Sequence, residues 1–154
     1  MIQSALRYLS MTKQVLLNKR IRALVLNKPT TTIPSDRSSA VALSKWLLLS
    51  QNEKIDGGYR TYYLDKKWTS SYPETTGYII PVLVEAAKKL GLPELEKSAL
   101  IAAEWLLTIQ KEEGGWQGGY IHQNRPAIVF NTGQVIRGLI AMYKHTKDDR
   151  FFQS

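Results

Sequence analysis

The sequence predicts an all-α fold assembled from a repeated helix–loop–helix unit. Three observations carry that prediction. Trp46-Leu47-Leu48-Leu49-Ser50-Gln51, followed by Asp56-Gly57-Gly58-Tyr59, recurs as Trp105-Leu106-Leu107-Thr108-Ile109-Gln110, followed by Gly114-Gly115-Trp116. Thr76-Gly77-Tyr78-Ile79-Ile80 recurs as Thr132-Gly133-Gln134-Val135-Ile136, and the step from Thr76 to Thr132 nearly equals that from Trp46 to Trp105. Apolar residues through both copies fall at helical spacing rather than in strand alternation.

Residues 1–28 read as a helix of their own. Ile2, Ala5, Leu6 and Leu9, then Leu17, Ile21, Leu24 and Val25, follow helical spacing. No acidic residue precedes Asp36, whereas Arg7, Lys13, Lys19, Arg20, Arg22 and Lys28 do, so six of the eight net positive charges sit here. A basic amphipathic helix suits an acidic membrane surface or a nucleic acid. The favoured reading is the plainer one, a helix packed on the body with its charges in water, since basic helix faces are common, and it leaves no specific nucleic-acid partner. Residues 29–38, with Pro29, Pro34 and several Thr and Ser, read as a linker.

Two hairpins follow, at about 39–90 and 93–145. The first helix of each runs from about Ser39 to Gln51 and from Pro93 to Gln110. Pro93 suits a first helical turn, where its missing N–H costs nothing. Leu95, Ala99, Ala102, Leu106 and Ile109 form a buried stripe, and Trp46 and Trp105 are expected in the core. The glycine pairs are expected to end these helices. Thr76 and Thr132 are expected as N-caps of the second helices. These run to Leu90, capped by Gly91, and to about His145. The segment Asp148-Asp149-Arg150-Phe151-Phe152 reads as the start of a third hairpin cut short at Ser154, with two phenylalanines that lack packing partners.

Composition excludes several classes. The chain length of 154 fits one domain, 44% hydrophobic content is ample for a core, and the absence of cysteine rules out disulfides, thiolate nucleophiles and Cys-based zinc sites. His122 and His145 are isolated from metal-ligand spacing, and no phosphate loop or nucleophile elbow is present. No cofactor or metal is expected. Neither a secretory signal nor a transmembrane span is legible, so the expected location is cytoplasmic.

The string Trp105-Leu106-Leu107-x-x-Gln110-x-x-x-Gly114-Gly115-Trp116 resembles the QW-type repeat of the prenyltransferase and squalene-cyclase superfamily. Asp56-Gly57-Gly58, the run from Ser71 to Ile80, and Phe130-Asn131-Thr132-Gly133-Gln134-Val135 are closer to a polysaccharide-associated branch similar to six-hairpin glycosidases and sugar epimerases. The resemblance covers about residues 38–154. It implies an incomplete α/α toroid of about two hairpins plus the N-terminal helix, unable to close a core alone and prone to self-association or pairing with further hairpins. It also implies a carbohydrate-related protein that acts on or binds a polysaccharide or activated glycan; an enzyme of this kind would be hydrolase-, lyase- or epimerase-like. The Asp-rich cyclase motif is absent, and a prenyltransferase zinc site needs a Cys, so isoprenoid chemistry is a weaker alternative. A non-catalytic helical-repeat interaction module is the main one.

In a toroid the second helices form the inner ring, and their N-termini face the cavity with free N–H groups. The loop before Thr76 holds Tyr59, Arg60, Tyr62, Tyr63, Trp68, Tyr72 and Glu74. Aromatic faces stack on sugar rings, and Arg and carboxylates bind hydroxyls and uronates. Glu74 is the candidate general acid or base and Asp56 its candidate partner, because glycoside chemistry usually needs two carboxylates. Glu74 also suits plain stabilisation of a helix start, and Asp56 a turn. Tyr59, Arg60, Tyr63, Trp68, Tyr72, Asn131 and Gln134 are candidate substrate contacts, and Trp116 and Tyr120 are either ligand platforms or inter-repeat packing.

Overall fold

The computed structural model describes residues 35–52, 54–62 and 68–154. The expected basic helix at 1–28, most of the linker and Tyr63 therefore lie outside the described residues. Four α-helices dominate the rest: α1 (Asp36–Ser50), α2 (Pro73–Leu90), α3 (Pro93–Thr108) and α4 (Val129–Thr146). Two short 3-10 turns, Ile121–Gln123 and Asp149–Phe151, and a two-stranded antiparallel ribbon of β1 (Arg60–Tyr62) and β2 (Trp68–Ser71) complete the described elements. The ribbon was not expected; Thr61, Tyr62, Trp68 and Thr69 are good strand formers that find each other across a short connection.

Helix starts follow local chemistry. The Ser35 hydroxyl accepts from the Ser38 N–H at 3.2 Å and caps α1, so this helix starts at Asp36 rather than at about Ser39. α2 and α3 each open on a proline at the first turn. Gly91, in the left-handed conformation with its N–H on the Ala87 carbonyl, ends α2 and turns the chain back into α3. Two starts differ from expectation. α2 and α4 begin at Pro73 and Val129, a turn before the threonines proposed as caps, with Tyr72 and Ile128 as cap residues. The threonines sit one turn inside and serve the loop instead, as described below. Likewise α3 ends at Thr108, before its glycine pair.

α2 and α4 lie side by side and run parallel, since first turn meets first turn (Glu74 with Asn131) and Gly77 abuts Gln134 and Val135. Their backbones come unusually close. A Cβ on Gly77 would stand 2.6 Å from the Gln134 carbonyl oxygen, and one on Gly138 would stand 2.6 Å from that of Gly77. Pro81, inside α2, lacks the N–H that would otherwise bond the Gly77 carbonyl, so this oxygen is free to face Gly138. α3 packs behind α2, and His145 near the end of α4 bonds Glu96 near the start of α3 at 2.7 Å. Ile80, Leu83, Leu95, Ala102, Leu106, Val135, Leu139 and Met142 fill the space between the three helices.

α1 touches this body lightly. Trp46, expected in the core, is 46% exposed, with Leu43 and Leu49 also exposed beside it. Trp105 is buried as expected. The closing residues do not start a helix in the described chain. They make one 3-10 turn, which buries Phe151 fully and leaves Phe152 exposed against Tyr143, ring centroids 5.1 Å apart. Phe151 thus has the packing partners that the sequence reading denied it. No described helix is long and apolar enough to cross a membrane.

Candidate functional site

The duplicated motifs fold into duplicated loops, and the hydrogen bonds repeat almost one for one. Gln51 Nε2 donates to the Gly57 carbonyl at 3.0 Å, and Gln110 Nε2 to the Gly114 carbonyl at 3.1 Å. The Asn52 N–H bonds the Gly58 carbonyl at 2.8 Å, and the Lys111 N–H that of Gly115 at 2.9 Å. Gly57 and Gly114 both take φ +86°, a conformation that disfavours any residue with a Cβ. The N–H groups of Tyr59 and Trp116 each donate to a threonine hydroxyl, Thr76 and Thr132, at 3.0 Å. The Tyr59 and Trp116 carbonyls accept in turn from the cap residues Tyr72 and Ile128 at 3.0 Å. Each loop is thereby tied down at the start of the helix that follows it.

That arrangement decides which aromatics face outward. Tyr59 and Trp116 point into the core, 1% and 0% exposed, so neither offers a face to a ligand. Trp116 Nε1 donates to the Leu106 carbonyl at 2.7 Å. The Tyr59 hydroxyl shares a short hydrogen bond with Ser98, and burial pushes its ionisation well above the ordinary phenol range, more than the Ser98 bond lowers it. Tyr59 is thereby corrected from a candidate substrate contact to a core residue, and of the two readings of Trp116 its burial fits packing.

The remaining site residues fall into two groups, and no ring contact joins them among the described residues. In the first, Trp46, Tyr62 and Trp68 pack with centroids 4.9 to 5.7 Å apart. Arg60 lies over Trp68 at 5.0 Å and donates to the carbonyls of Ser50 and Gln51 at 3.1 and 3.2 Å. Its guanidinium thus satisfies the carbonyls that the end of α1 leaves open. Arg60 and Trp68 anchor α1 to the ribbon.

The second group spans the two repeats at the starts of α2 and α4. Glu74, half-buried in the first turn of α2, accepts from Asn131 Nδ2 at 3.0 Å, and Asn131 is buried in the first turn of α4. One turn further along α4, Gln134 Oε1 is buried and has no hydrogen-bond partner among the described residues. Tyr72, the cap residue of α2, meets Tyr120 edge-to-face at 5.3 Å, and Tyr120 stacks on His122 at 5.9 Å. His122 Nδ1 lies 2.8 Å from the Ser70 hydroxyl. His122 and Ser70 were missed in the sequence, because nothing local marks them; the partnership forms only when the 3-10 turn of the second loop lands on β2.

Asp56 is not free for chemistry. One carboxylate oxygen accepts from the Gly58 N–H at 3.0 Å and from the Ser71 hydroxyl at 2.7 Å, which fixes the turn and ties it to β2. Glu74 is therefore the carboxylate of the second group, with an amide rather than a second acid opposite it. Among the described residues no group of His, Asp and Glu is arranged to hold a metal. Two apolar grooves, each of about 450 Å³, lie farther down the seam around Pro81; Glu74 lines neither. Compared with known proteins, the chain matches no family model, no curated sequence and no solved structure.

Proposed function

We propose that the chain is an α/α-toroid-type protein that binds a polysaccharide or an activated glycan where the inner helices α2 and α4 begin. The observation that carries this reading is the cluster at that end: a half-buried carboxylate, Glu74, oriented by the Asn131 amide, beside the rings of Tyr72, Tyr120 and His122. A sugar needs an apolar face to stack on and fixed acceptors and donors for its hydroxyls. Glu74 supplies acceptors and Asn131 an oriented amide. Parallel inner helices also present their free N–H groups at the same end.

Binding is favoured over hydrolysis, because among the described residues no second acid faces Glu74 for two-carboxylate glycoside chemistry once Asp56 is committed to the turn. Calorimetric titration of the whole chain with neutral and uronate-containing oligosaccharides tests the reading. Binding is expected to weaken about tenfold in Tyr120→Ala, the upper end of an aromatic contact worth ~0.5–1.5 kcal/mol. Glu74→Gln should weaken it by roughly 10- to 100-fold, from a charged hydrogen bond of ~1.5–3 kcal/mol. If the chain turns over a glycan, Glu74→Gln should lower kcat by ~10²–10⁴. Binding of a glycan that neither substitution changes would return Glu74 to a helix-start role and move the site elsewhere.

The helical-repeat interaction module stands as a second reading. A distinct observation favours it: Val129, Ile136 and Ile140 form an exposed apolar stripe along α4.

A further inference from the structure

The two apolar grooves of about 450 Å³ meet at Pro81 and Arg137, which line both. Ala40, Val82, Ala86 and Leu90 line the first, and Gly133, Ile136 and Ile140 the second. Val82, Ile136 and Ile140 are exposed there, and a Cβ on Gly133 would meet no atom within 4 Å. Few charges line the grooves. Glu85 pairs with Lys89 at 3.0 Å, and Arg137 and Lys144 carry long aliphatic stems that lie along apolar surface while their heads reach water.

The described chain begins beside the first groove. Arg37 Nη2, in the first turn of α1, donates to the Leu90 carbonyl at 3.0 Å, and Ala40 and Leu90 both line the groove. Whatever precedes Ser35 therefore enters at that point. Residues 29–34 span at most about 20 Å fully extended, so the segment 1–28 is tethered within reach of both grooves. Leu17, Ile21, Leu24 and Val25 give that segment an apolar stripe about 12 Å long at 1.5 Å per residue. From Pro81 to Leu90 the floor of the first groove runs about 13 Å along α2 by the same rise, so stripe and groove match in length. At 3.6 residues per turn Lys19 and Arg22 fall on the side away from Leu17, Ile21 and Leu24. Stacked helical repeats are closed off by elements of this kind, apolar inward and polar outward.

We infer that the grooves around Pro81 are the docking site for this chain's own segment 1–28, which lays its Leu17–Ile21–Leu24 stripe on Val82, Ile136 and Ile140. The short tether makes this an intramolecular event at high effective concentration, which favours the chain's own segment over a second copy. The basic residues of the segment then form the outer surface over the α2–α4 seam.

The chain has no cysteine, so engineered pairs report on this contact without background. Leu17→Cys, Ile21→Cys and Leu24→Cys are each combined in the full chain with Val82→Cys or with Ile140→Cys, and oxidised at low protein concentration. A disulfide closes only where the two Cα atoms come within ~4.4–6.8 Å. At least one pair is expected to close within a single chain, read as a faster-migrating monomer on a non-reducing gel. The same segment cysteines combined with Glu113→Cys, exposed in the second loop and outside both grooves, should not close. Two groove positions keep the test open if one variant loses its helical circular dichroism. Absence of any groove cross-link overturns the inference and leaves the grooves to another molecule. Equal closure with Glu113→Cys overturns it as unselective collision, and cross-linked dimers in place of monomers overturn it in favour of a second copy.

Discussion

Replacing Gly138 with alanine separates helix propensity from helix contact, and the chain contains its own control. The new methyl carbon would lie 2.6 Å from the Gly77 carbonyl oxygen, 3.0 Å from its Cα and 3.2 Å from its carbonyl carbon. These are backbone atoms of a packed helix and cannot rotate away. Relief to an ordinary contact requires α2 and α4 to part by roughly 0.8 Å, and a radial gap of ~0.5–1 Å forfeits a quarter to a half of each dispersion contact along the seam. Overpacking of this kind costs ~1–3 kcal/mol, while exchanging glycine for alanine inside a helix returns ~1 kcal/mol. The net expectation is a loss of up to about 2 kcal/mol. Gly133 lies on the same helix with open space around it, so Gly133→Ala collects the propensity gain alone, about 0.5–1 kcal/mol. The propensity gain is common to both, so the two variants should differ by the overpacking cost, about 1–3 kcal/mol, or roughly 3–10 °C in Tm for a domain this size. Urea and thermal unfolding followed by circular dichroism, at low protein concentration, measures the difference. If Gly138→Ala is as stable as Gly133→Ala, the close approach of the two helices is wrong.

Three further outcomes follow from the same geometry. Gln51 is buried and bonds the Gly57 and Ser98 carbonyls as well as the Ser98 hydroxyl, whereas Gln110 makes one exposed bond; Gln51→Ala should cost about 2–3 kcal/mol in urea unfolding and Gln110→Ala under about 1 kcal/mol. The Tyr59 phenol ionises at higher pH folded than unfolded, so its contribution is complete below about pH 10 and is lost as pH rises through that range; Tyr59→Phe should flatten the alkaline fall in stability measured against wild type. Asn131→Asp sets a second carboxylate against Glu74, so its stability deficit, measured by unfolding, should grow as pH rises from about 3 to 6, where carboxylates ionise, and Asn131→Ala should show no such growth.

The sequence by itself determined the helices and their duplication. Helical spacing, Pro93 and Gly91 placed α3 and the end of α2 correctly, and the Trp-to-glycine and Thr-Gly repeats marked two loops whose hydrogen bonds indeed match. These features are local: a proline fixes φ, a glycine admits the left-handed conformation, and an apolar stripe needs only its own helix. What only the tertiary structure decided is which side of each loop faces the core. Thr76 and Thr132 read as caps because threonine commonly is one, yet their hydroxyls accept from the Tyr59 and Trp116 N–H groups far back in the loop, turning those two rings inward and removing them from any ligand surface. Trp46 and Trp105 occupy the same place in the repeat, but α1 touches the body only lightly within the described residues, so one is exposed and the other buried. Glu74 meets Asn131, and His122 meets Ser70, across a whole repeat of sequence because α2 and α4 run parallel. Periodicity reports which residues share a face of one helix; it carries no information about which face meets which, and the candidate site lies in those meetings.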